Sequence, residues 1–93
     1  MDIRNNESES RYEAVIDGQV AFSEYDMEGP ELVVFTHTVV PDALAGRGIA
    51  AQIVKYALDD VRARGWKVVP QCAYVASYIE RHPEYRDLIE TNR

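Results

Sequence analysis

A strand, a glycine-containing loop, a helix and a second strand follow one another in the middle of this chain, and this order constrains the fold more than any other feature. Residues 31–40 (ELVVFTHTVV) are rich in β-branched side chains, and their near-continuous apolar run predicts a strand buried on both faces. Pro41 ends that strand, and residues 49–64 then carry apolar side chains at helical spacing. Residues 66–69 (WKVV) predict another short strand. Because strand–helix–strand connections within one sheet are almost always right-handed, we expect two parallel strands with the helix packed against the sheet.

Two segments before this unit alternate between apolar and polar residues. Residues 11–16 and 19–25 predict strands, and Asp17-Gly18 between them is a strong signal for a two-residue hairpin turn. After the unit, residues 75–81 predict a short helix. The predicted fold class is therefore α+β, with an antiparallel meander, a β-α-β unit and a C-terminal helix.

The length of 93 residues fits a single domain. Residues 1–10 are polar and predict a flexible N-terminus that lacks the apolar stretch of a secretory signal. We therefore expect residues 11–93 to form the domain and the protein to be cytoplasmic. A single cysteine cannot form a disulfide within the chain, and with only two histidines a bound metal is not expected.

The acidic residues are concentrated at the start of the chain. Residues 1–31 contain nine acidic and two basic residues, a net charge of −7, whereas residues 32–93 carry a net charge of +1. An acidic region repels phosphate backbones, which argues against nucleic-acid binding, and the apolar runs are too short to cross a membrane. The acidic third is either a solvated surface or a field that attracts a cationic partner such as an amine.

The loop between the long strand and the helix has the chemistry of an anion-binding site. The first turn of a helix leaves backbone N–H groups without acceptors, and the helix dipole favours negative charge there. Gly46 and Gly48 would let a diphosphate approach the backbone, and Arg47 could add a charge-assisted hydrogen bond. The spacing fits neither the phosphate-binding loop of nucleoside triphosphatases nor the glycine pattern of dinucleotide-binding domains. A Gly-x-Gly pair alone is also compatible with a helix start that binds no ligand.

The residues around these glycines resemble a known motif. The stretch VVPDALAGRGIA resembles the acyl-CoA-binding motif of the GCN5-related N-acetyltransferases at Val39, Pro41, Gly46, Gly48, Ile49 and Ala50. It departs from that motif at Ala43 or a neighbour, where Gln or Arg is common, which leaves the backbone to make the diphosphate contact. The patterns H-T-x-V-P, G-R-G-I-A and P-x-C-x-Y-V-x-x-Y-I-x-x-H-P-E-Y extend the resemblance over residues 11–90, to a subfamily of small single-domain acetyltransferase-like proteins.

The resemblance implies a minimal acyl-CoA N-acyltransferase fold that transfers an acetyl group from acetyl-CoA to an amine, such as a protein lysine or a polyamine. The implied acetyl-CoA contacts are Val39, Val40, Leu44, Ala45, Gly46, Arg47, Gly48, Ile49 and Ala50. A backbone amide near Val39 or Val40 would polarise the thioester carbonyl. Larger relatives begin with an extra strand and two helices that form part of the acceptor site, and this chain is too short to hold them. We therefore expect an open acceptor half, which a second copy in a homodimer or a protein substrate could complete.

Two alternatives to an enzyme remain open. One is a CoA-binding module without turnover, which the expected loss of the acceptor-site helices would favour. The other is a protein-interaction domain that keeps only the fold.

Three side chains are candidates for the chemistry. Tyr78 matches the tyrosine that often protonates the CoA thiolate in the family, although a tyrosine there could equally pack in the core. His37 could accept the amine proton as a neutral imidazole, or be a hydrogen-bonded core histidine. Cys72 follows the last strand and could accept an acetyl group in a two-step route, or be a small buried apolar residue. Direct transfer from acetyl-CoA to the amine needs no nucleophilic cysteine.

Overall fold

The computed structural model describes residues 1–91, so the last two residues of the domain expected at 11–93 lie outside the described residues. The strands are β1 (Ile3–Asn6), β2 (Arg11–Ile16), β3 (Gln19–Met27), β4 (Leu32–Val39) and β5 (Lys67–Pro70). The helices are α1 (Ile49–Ala63) and α2 (Ala73–Arg81), with short 3-10 segments at Asp42–Leu44 and Pro83–Leu88. The strands form one sheet in the order β1-β2-β3-β4-β5. Neighbouring strands are antiparallel except β4 and β5, which are parallel.

This arrangement confirms the predicted α+β class. The meander of β2, β3 and β4 is followed by the β4-α1-β5 unit and then by α2, in the predicted order. The apolar stripe of the predicted helix becomes the buried face of α1, which packs against the sheet. Among residues 1–91, neither α-helix is long and apolar enough to span a bilayer.

The expectation of a flexible segment at residues 1–10 is wrong, because Ile3–Asn6 forms β1. This strand pairs antiparallel with β2, with Ile3 opposite Ala14, and the Ile3 side chain packs against the core. The Tyr25 hydroxyl donates a 2.7 Å hydrogen bond to Asn5 Oδ1, which ties β1 to β3. Only one apolar residue of β1 faces the core, so the strand has no hydropathy pattern that could reveal it, and its pairing with β2 supplies the order.

Both helices pack on the same face of the sheet. Their buried side chains share one hydrophobic cluster with side chains that alternate along β2, β3 and β4. The sheet residues of this cluster include Tyr12, Ala14, Ala21, Tyr25, Val33 and Phe35. The opposite face, which neither helix covers, carries Val15, Phe22, His37 and Val39. We call it the open face.

One carboxylate on the open face is nevertheless buried. Glu13 is 4% exposed, because three neighbouring side chains cover it and donate hydrogen bonds to it. Arg11 Nε lies 2.7 Å from its carboxylate, Asn6 Nδ2 3.0 Å and Arg4 Nε 3.1 Å. The hydrogen bond from Arg11 is the main cause that holds the pKa of Glu13 below its ordinary value, against the opposing effect of burial. The guanidinium groups of Arg4 and Arg11 thus compensate the negative charge of Glu13, which would otherwise be too costly to bury.

Candidate functional site

The parallel strands β4 and β5 separate part-way along β4. They pair only over residues 32–35 of β4, while β4 continues beside β3 as far as Val39. The separation begins at a β-bulge, where Glu24 faces His37 and Tyr25 faces Phe35, so that Thr36 is the extra residue. A bulge bends its strand and increases the local twist, which turns the end of β4 away from β5.

The expectation that residues 31–40 are buried on both faces is therefore correct only for part of the strand. Residues 33–35 are buried, but beyond the bulge exposed and half-buried side chains alternate. His37 and Val39 lie on the open face, whereas Thr38 points to the helix side, where it contacts Ser23. The bulge and the end of β5 leave β4 with a partner on one edge only, and this part of the strand is not enclosed.

The loop that follows β4 ends at an uncapped helix N-terminus. Gly48 is the N-cap residue of α1, with φ 71°, and Gly46 has φ 82°; these left-handed values favour glycine at both positions. The first backbone hydrogen bond of the helix runs from Gln52 N to Gly48 O. The three amides before Gln52 therefore have no acceptor within the helix. The N-cap residue makes no side-chain capping bond, and the first turn contains no acidic residue, so the positive end of the dipole is uncompensated by its own helix.

A hollow of about 250 Å³ opens at this helix N-terminus. Its lining consists of Val40, Leu44, Ala45, Gly46, Arg47, Gly48, Ile49, Ala50, Ala51 and Tyr74. The structure thus brings together eight of the nine residues expected to contact acetyl-CoA. Val39 is not part of the lining, because its side chain lies on the open face and is 43% exposed. Its backbone belongs to the separated end of β4.

The charged side chain of the hollow is Arg47. Its Nη1 lies 3.4 Å from Oδ2 of Asp17, which belongs to the hairpin turn between β2 and β3. Both side chains are largely exposed. The guanidinium has five N–H donors, so this single long contact leaves most of them free to bind an anion.

The residues of the hollow fit a diphosphate. A Cβ atom built on Gly46 or Gly48 would meet no other heavy atom within 4 Å, so the space over both backbones is open to a ligand. Leu44 is 1% exposed and belongs to the core, and Ala43 beside it has no polar side chain, so this part of the loop offers only its backbone. Amides, the helix dipole and one arginine remain to hold the anion.

Tyr74 lines the hollow and was missed by the sequence analysis. Tyr74 is the second residue of α2, is half-buried, and lines the hollow together with the first residues of α1. Tyr74 and Tyr78 are four residues apart, the spacing that places two side chains on one face of a helix. This pair of tyrosines four residues apart is the sequence signal from which Tyr74 could have been found.

Tyr78 lies further along α2 and does not line the hollow. The residue is 5% exposed, and its ring stacks on His82 with the ring centroids 4.1 Å apart. Burial raises the pKa of its hydroxyl, and the positive charge of Lys55 partly opposes this. The structure therefore agrees with the alternative that Tyr78 packs in the core.

Cys72 occupies the junction between β5 and α2. Its backbone N–H donates a 2.8 Å hydrogen bond to Phe35 O, the last β4 residue paired with β5. The residue is 6% exposed, and its Sγ lies 3.3 Å from Thr38 Oγ1. Thr38 Oγ1 is in turn 3.1 Å from Ser23 Oγ, and Ser23 is fully buried. Cys72 is thus at the point where the two strands separate, but it does not line the hollow.

The assignment of His37 to a buried strand is wrong. Its side chain is exposed on the open face, directly across from Glu24 on β3. The alternation of β4 puts Thr38 on the helix side and therefore turns His37 to the opposite side of the sheet from the hollow. Among residues 1–91, His, Cys, Asp and Glu side chains form no group of three or more that could bind a metal ion.

Comparison with known proteins decides the family. The sequence profile of the GCN5-related N-acetyltransferases matches residues 11–88. The chain belongs to the GCN5-related N-acetyltransferase family. The resemblance predicted from the loop and its flanking motifs is thereby confirmed, and the uncapped helix and hollow are features of a domain of this family.

A solved structure agrees on the fold of this GCN5-related domain. A GCN5-like protein from Staphylococcus aureus, determined in solution by NMR, matches with a TM-score of 0.74. The match covers 99% of this chain and 90% of the other, at 20% identity, and so shows the fold alone.

Curated relatives are similar over part of their length. Protein NATD1 of Gallus gallus and protein NATD1 of Homo sapiens are each 41% identical over 59 residues, which is 63% of this chain and 54% and 52% of theirs. Protein NATD1 of Danio rerio is 34% identical over 67 residues, covering 70% of this chain and 61% of its own. The chain thus spans about half the length of the first two of these relatives and somewhat more of the third.

Proposed function

We propose that this protein binds acetyl-CoA at the N-terminus of α1 and transfers the acetyl group to an amine. The observation that carries the proposal is the uncapped first turn of α1, which opens into a hollow of about 250 Å³ beside the separated strands β4 and β5. In a chain of the GCN5-related N-acetyltransferase family, an anion site at this place supports acyl-CoA as the ligand.

The binding step would use backbone more than side chains. The amides of Ile49, Ala50 and Ala51 would hold the diphosphate, because they have no acceptor within the helix, and Arg47 would add its guanidinium. The pantetheine arm would then extend toward the gap between β4 and β5, in the direction of Val40. Within residues 1–91, the backbone of β4 beyond Phe35 has no strand partner on its β5 side, so an amide that points to that side would polarise the thioester carbonyl.

The transfer step needs an orientation of reactants and three proton movements. The ammonium first loses one proton to solvent; the neutral nitrogen then attacks the thioester carbon, the carbon–sulfur bond breaks with its electron pair left on sulfur, and the nitrogen gives up a second proton as the amide forms. Tyr78 would donate the proton that the CoA thiolate takes up, since a tyrosine hydroxyl is protonated at neutral pH. His37, on the open face beside Glu24, would accept the amine proton if the acceptor arrives from that side.

The acceptor would be a cationic amine, such as a lysine side chain of a protein or a polyamine. Residues 1–31 carry a net charge of −7 and form β1, β2 and β3, so the acidic part of the chain lies in the sheet next to β4. Residues 7–10 between β1 and β2 make a tight turn, so the two acceptor-site helices that the resemblance gives to larger relatives are not at this place in the chain. The open face is therefore accessible to a large acceptor. A homodimer and a cytoplasmic location stay predictions.

Release of free thiol from acetyl-CoA in the presence of an amine panel tests the transfer. The wild type should release thiol faster with a cationic amine than without one, and Tyr78→Phe should lower that rate at least tenfold. Tyr85→Phe is the matched control, because the Tyr85 hydroxyl is already engaged by Asp59 Oδ1 at 2.7 Å and its ring lies 6.1 Å from that of Tyr78. Equal rates in the wild type and Tyr78→Phe would remove Tyr78 from the mechanism.

A second candidate function is binding of acyl-CoA without turnover. It is favoured by the absence of Cys72, Tyr78 and His37 from the residues that line the hollow. Calorimetric binding of acetyl-CoA with no thiol release above the uncatalysed rate for any amine would support it.

Intact-mass analysis tests the two-step route through Cys72. One added acetyl group that is absent in Cys72→Ser would show an acyl-cysteine, and a wild type that carries no added acetyl group during turnover would exclude it.

A further inference from the structure

The hairpin turn between β2 and β3 contacts the proposed CoA site through one ion pair. Asp17 and Gly18 form this turn with φ values of 52° and 74°, and the strands on either side are paired up to Ile16 and Gln19. Positive φ at both central residues is the mark of a tight hairpin turn whose geometry is set by the strands. The Asp17 carboxylate is therefore presented at a defined place, 3.4 Å from Arg47 Nη1.

Arg47 is placed to interact both with the Asp17 carboxylate and with a diphosphate bound in the hollow. It lies between Gly46 and Gly48, lines the hollow, and is the basic side chain among the lining residues. Within the described part of the chain, Asp17 is its ion-pair partner. Most of the guanidinium donors are free, but the group carries a single positive charge, so a diphosphate bound by Arg47 would share that charge with the nearby Asp17 carboxylate.

We propose that Asp17 weakens acyl-CoA binding by competing with the diphosphate of the ligand for Arg47. This inference rests on the proposed function of the hollow. Asp17 acts through Arg47 and does not touch the reacting atoms, so it is a positioning residue. In the free protein it holds the arginine at the rim of the hollow; in the complex its negative charge opposes the ligand and makes binding sensitive to salt.

The expected effect is small and has a definite sign. Both side chains are mostly exposed, 72% for Asp17 and 52% for Arg47, and exposed ion pairs change an equilibrium by up to about fivefold. Asp17→Asn should therefore tighten acetyl-CoA binding about two- to fivefold at low ionic strength. Asn is at least as favourable as Asp before Gly in this type of turn, so the hairpin should be preserved. Asp17→Glu, which keeps the charge, should return the affinity toward that of the wild type.

Isothermal titration calorimetry with acetyl-CoA at two salt concentrations tests the proposal. Asp42→Asn is the matched control: it removes the same charge from an exposed residue of the loop that contains Arg47, and among the described residues the ion pair of Arg47 is with Asp17 and not with Asp42. The tightening in Asp17→Asn should exceed that in Asp42→Asn, shrink at high salt, and disappear when Arg47→Gln is already present. The last comparison isolates the pair from general electrostatics.

The possible outcomes distinguish failure of the role proposed for Asp17 from failure of the proposed acetyl-CoA site. Wild-type binding with equal affinities in Asp17→Asn and Asp42→Asn would overturn the role of Asp17 and leave the CoA site intact. The same tightening by Asp17→Asn in the Arg47→Gln background would also overturn it, because the effect would not pass through Arg47. No binding of acetyl-CoA by the wild type or by any variant would overturn both the proposed function and this inference.

Discussion

Replacing Gly48 by alanine is expected to damage ligand binding much more than stability. Gly48 occupies the N-cap position of α1 with φ 71°, a left-handed conformation that costs an alanine about 1–2 kcal/mol. Part of this cost is offset because alanine also restricts the unfolded chain, which leaves a net loss of about 1 kcal/mol. A Cβ there would meet no heavy atom within 4 Å, so a steric clash adds nothing to this conformational free-energy cost. For a domain of this size the expected fall in Tm is about 4–8 °C.

The same Cβ would project into the space where the diphosphate is expected. Gly48 lines the hollow and precedes the amides that would hold the anion. Losing or lengthening one charge-assisted hydrogen bond costs about 1.5–3 kcal/mol, so the affinity for acetyl-CoA should fall about 10- to 100-fold. Thermal unfolding and calorimetric titration measure the two effects on the same sample.

Gly65 provides a matched control at the other end of the same helix. Its φ is 73°, and a Cβ there would likewise meet nothing within 4 Å. Gly65→Ala should therefore lower Tm by a similar amount and leave acetyl-CoA affinity unchanged. An unchanged affinity in Gly48→Ala would refute the assignment of the anion site to this helix end. An equal loss of affinity in both variants would show that binding had simply followed stability.

Two further predictions concern stability. Glu13→Gln should lower the free energy of unfolding by about 1–2 kcal/mol at pH 7, because the hydrogen bond from Arg11 stabilises the charged carboxylate. The folded pKa of Glu13 lies below the ordinary 4.5, so this stabilisation is present above pH 4.5 and is lost as the pH falls through the folded pKa. Urea unfolding should therefore show that the difference in unfolding free energy between Glu13→Gln and the wild type becomes smaller in acid. A difference that does not change with pH would contradict this. Thr38→Val should lower the free energy of unfolding by about 1–3 kcal/mol, because the buried Ser23 hydroxyl loses its hydrogen-bond partner. Cys72→Ser keeps a polar atom beside Thr38 and should lower it less in the same urea titration. A larger loss in Cys72→Ser than in Thr38→Val would contradict these contacts.

The secondary structure was largely predictable because most elements carry strong local signals. The Asp17-Gly18 hairpin turn and the apolar stripe of α1 each depend on residues close in sequence, and the structure has both where they were expected. β1 was missed because a strand that contributes a single apolar residue to the core has no periodicity of its own. Its order comes from pairing with β2, which is a long-range contact.

Which face of each strand is buried was not predictable from hydropathy. In β3, Phe22 lies on the open face while Ser23 is fully buried. The polar residue can enter the core because Thr38 on the neighbouring strand supplies a hydrogen bond, and the apolar one can remain outside because Arg11 lies over its ring at 4.9 Å. Both partners come from other strands, so neither is visible in the local pattern.

The same division applies to the candidate site. The loop sequence alone determined a glycine-lined helix start with one arginine, because left-handed turns and free first-turn amides are properties of a short stretch of backbone. Only the tertiary structure decided that Tyr74 faces this loop, that His37 points to the opposite side of the sheet, and that Asp17 reaches Arg47 from a distant turn. Those positions depend on a bulge in β4 and on how the strands pair, and such pairing energies arise between segments far apart in sequence.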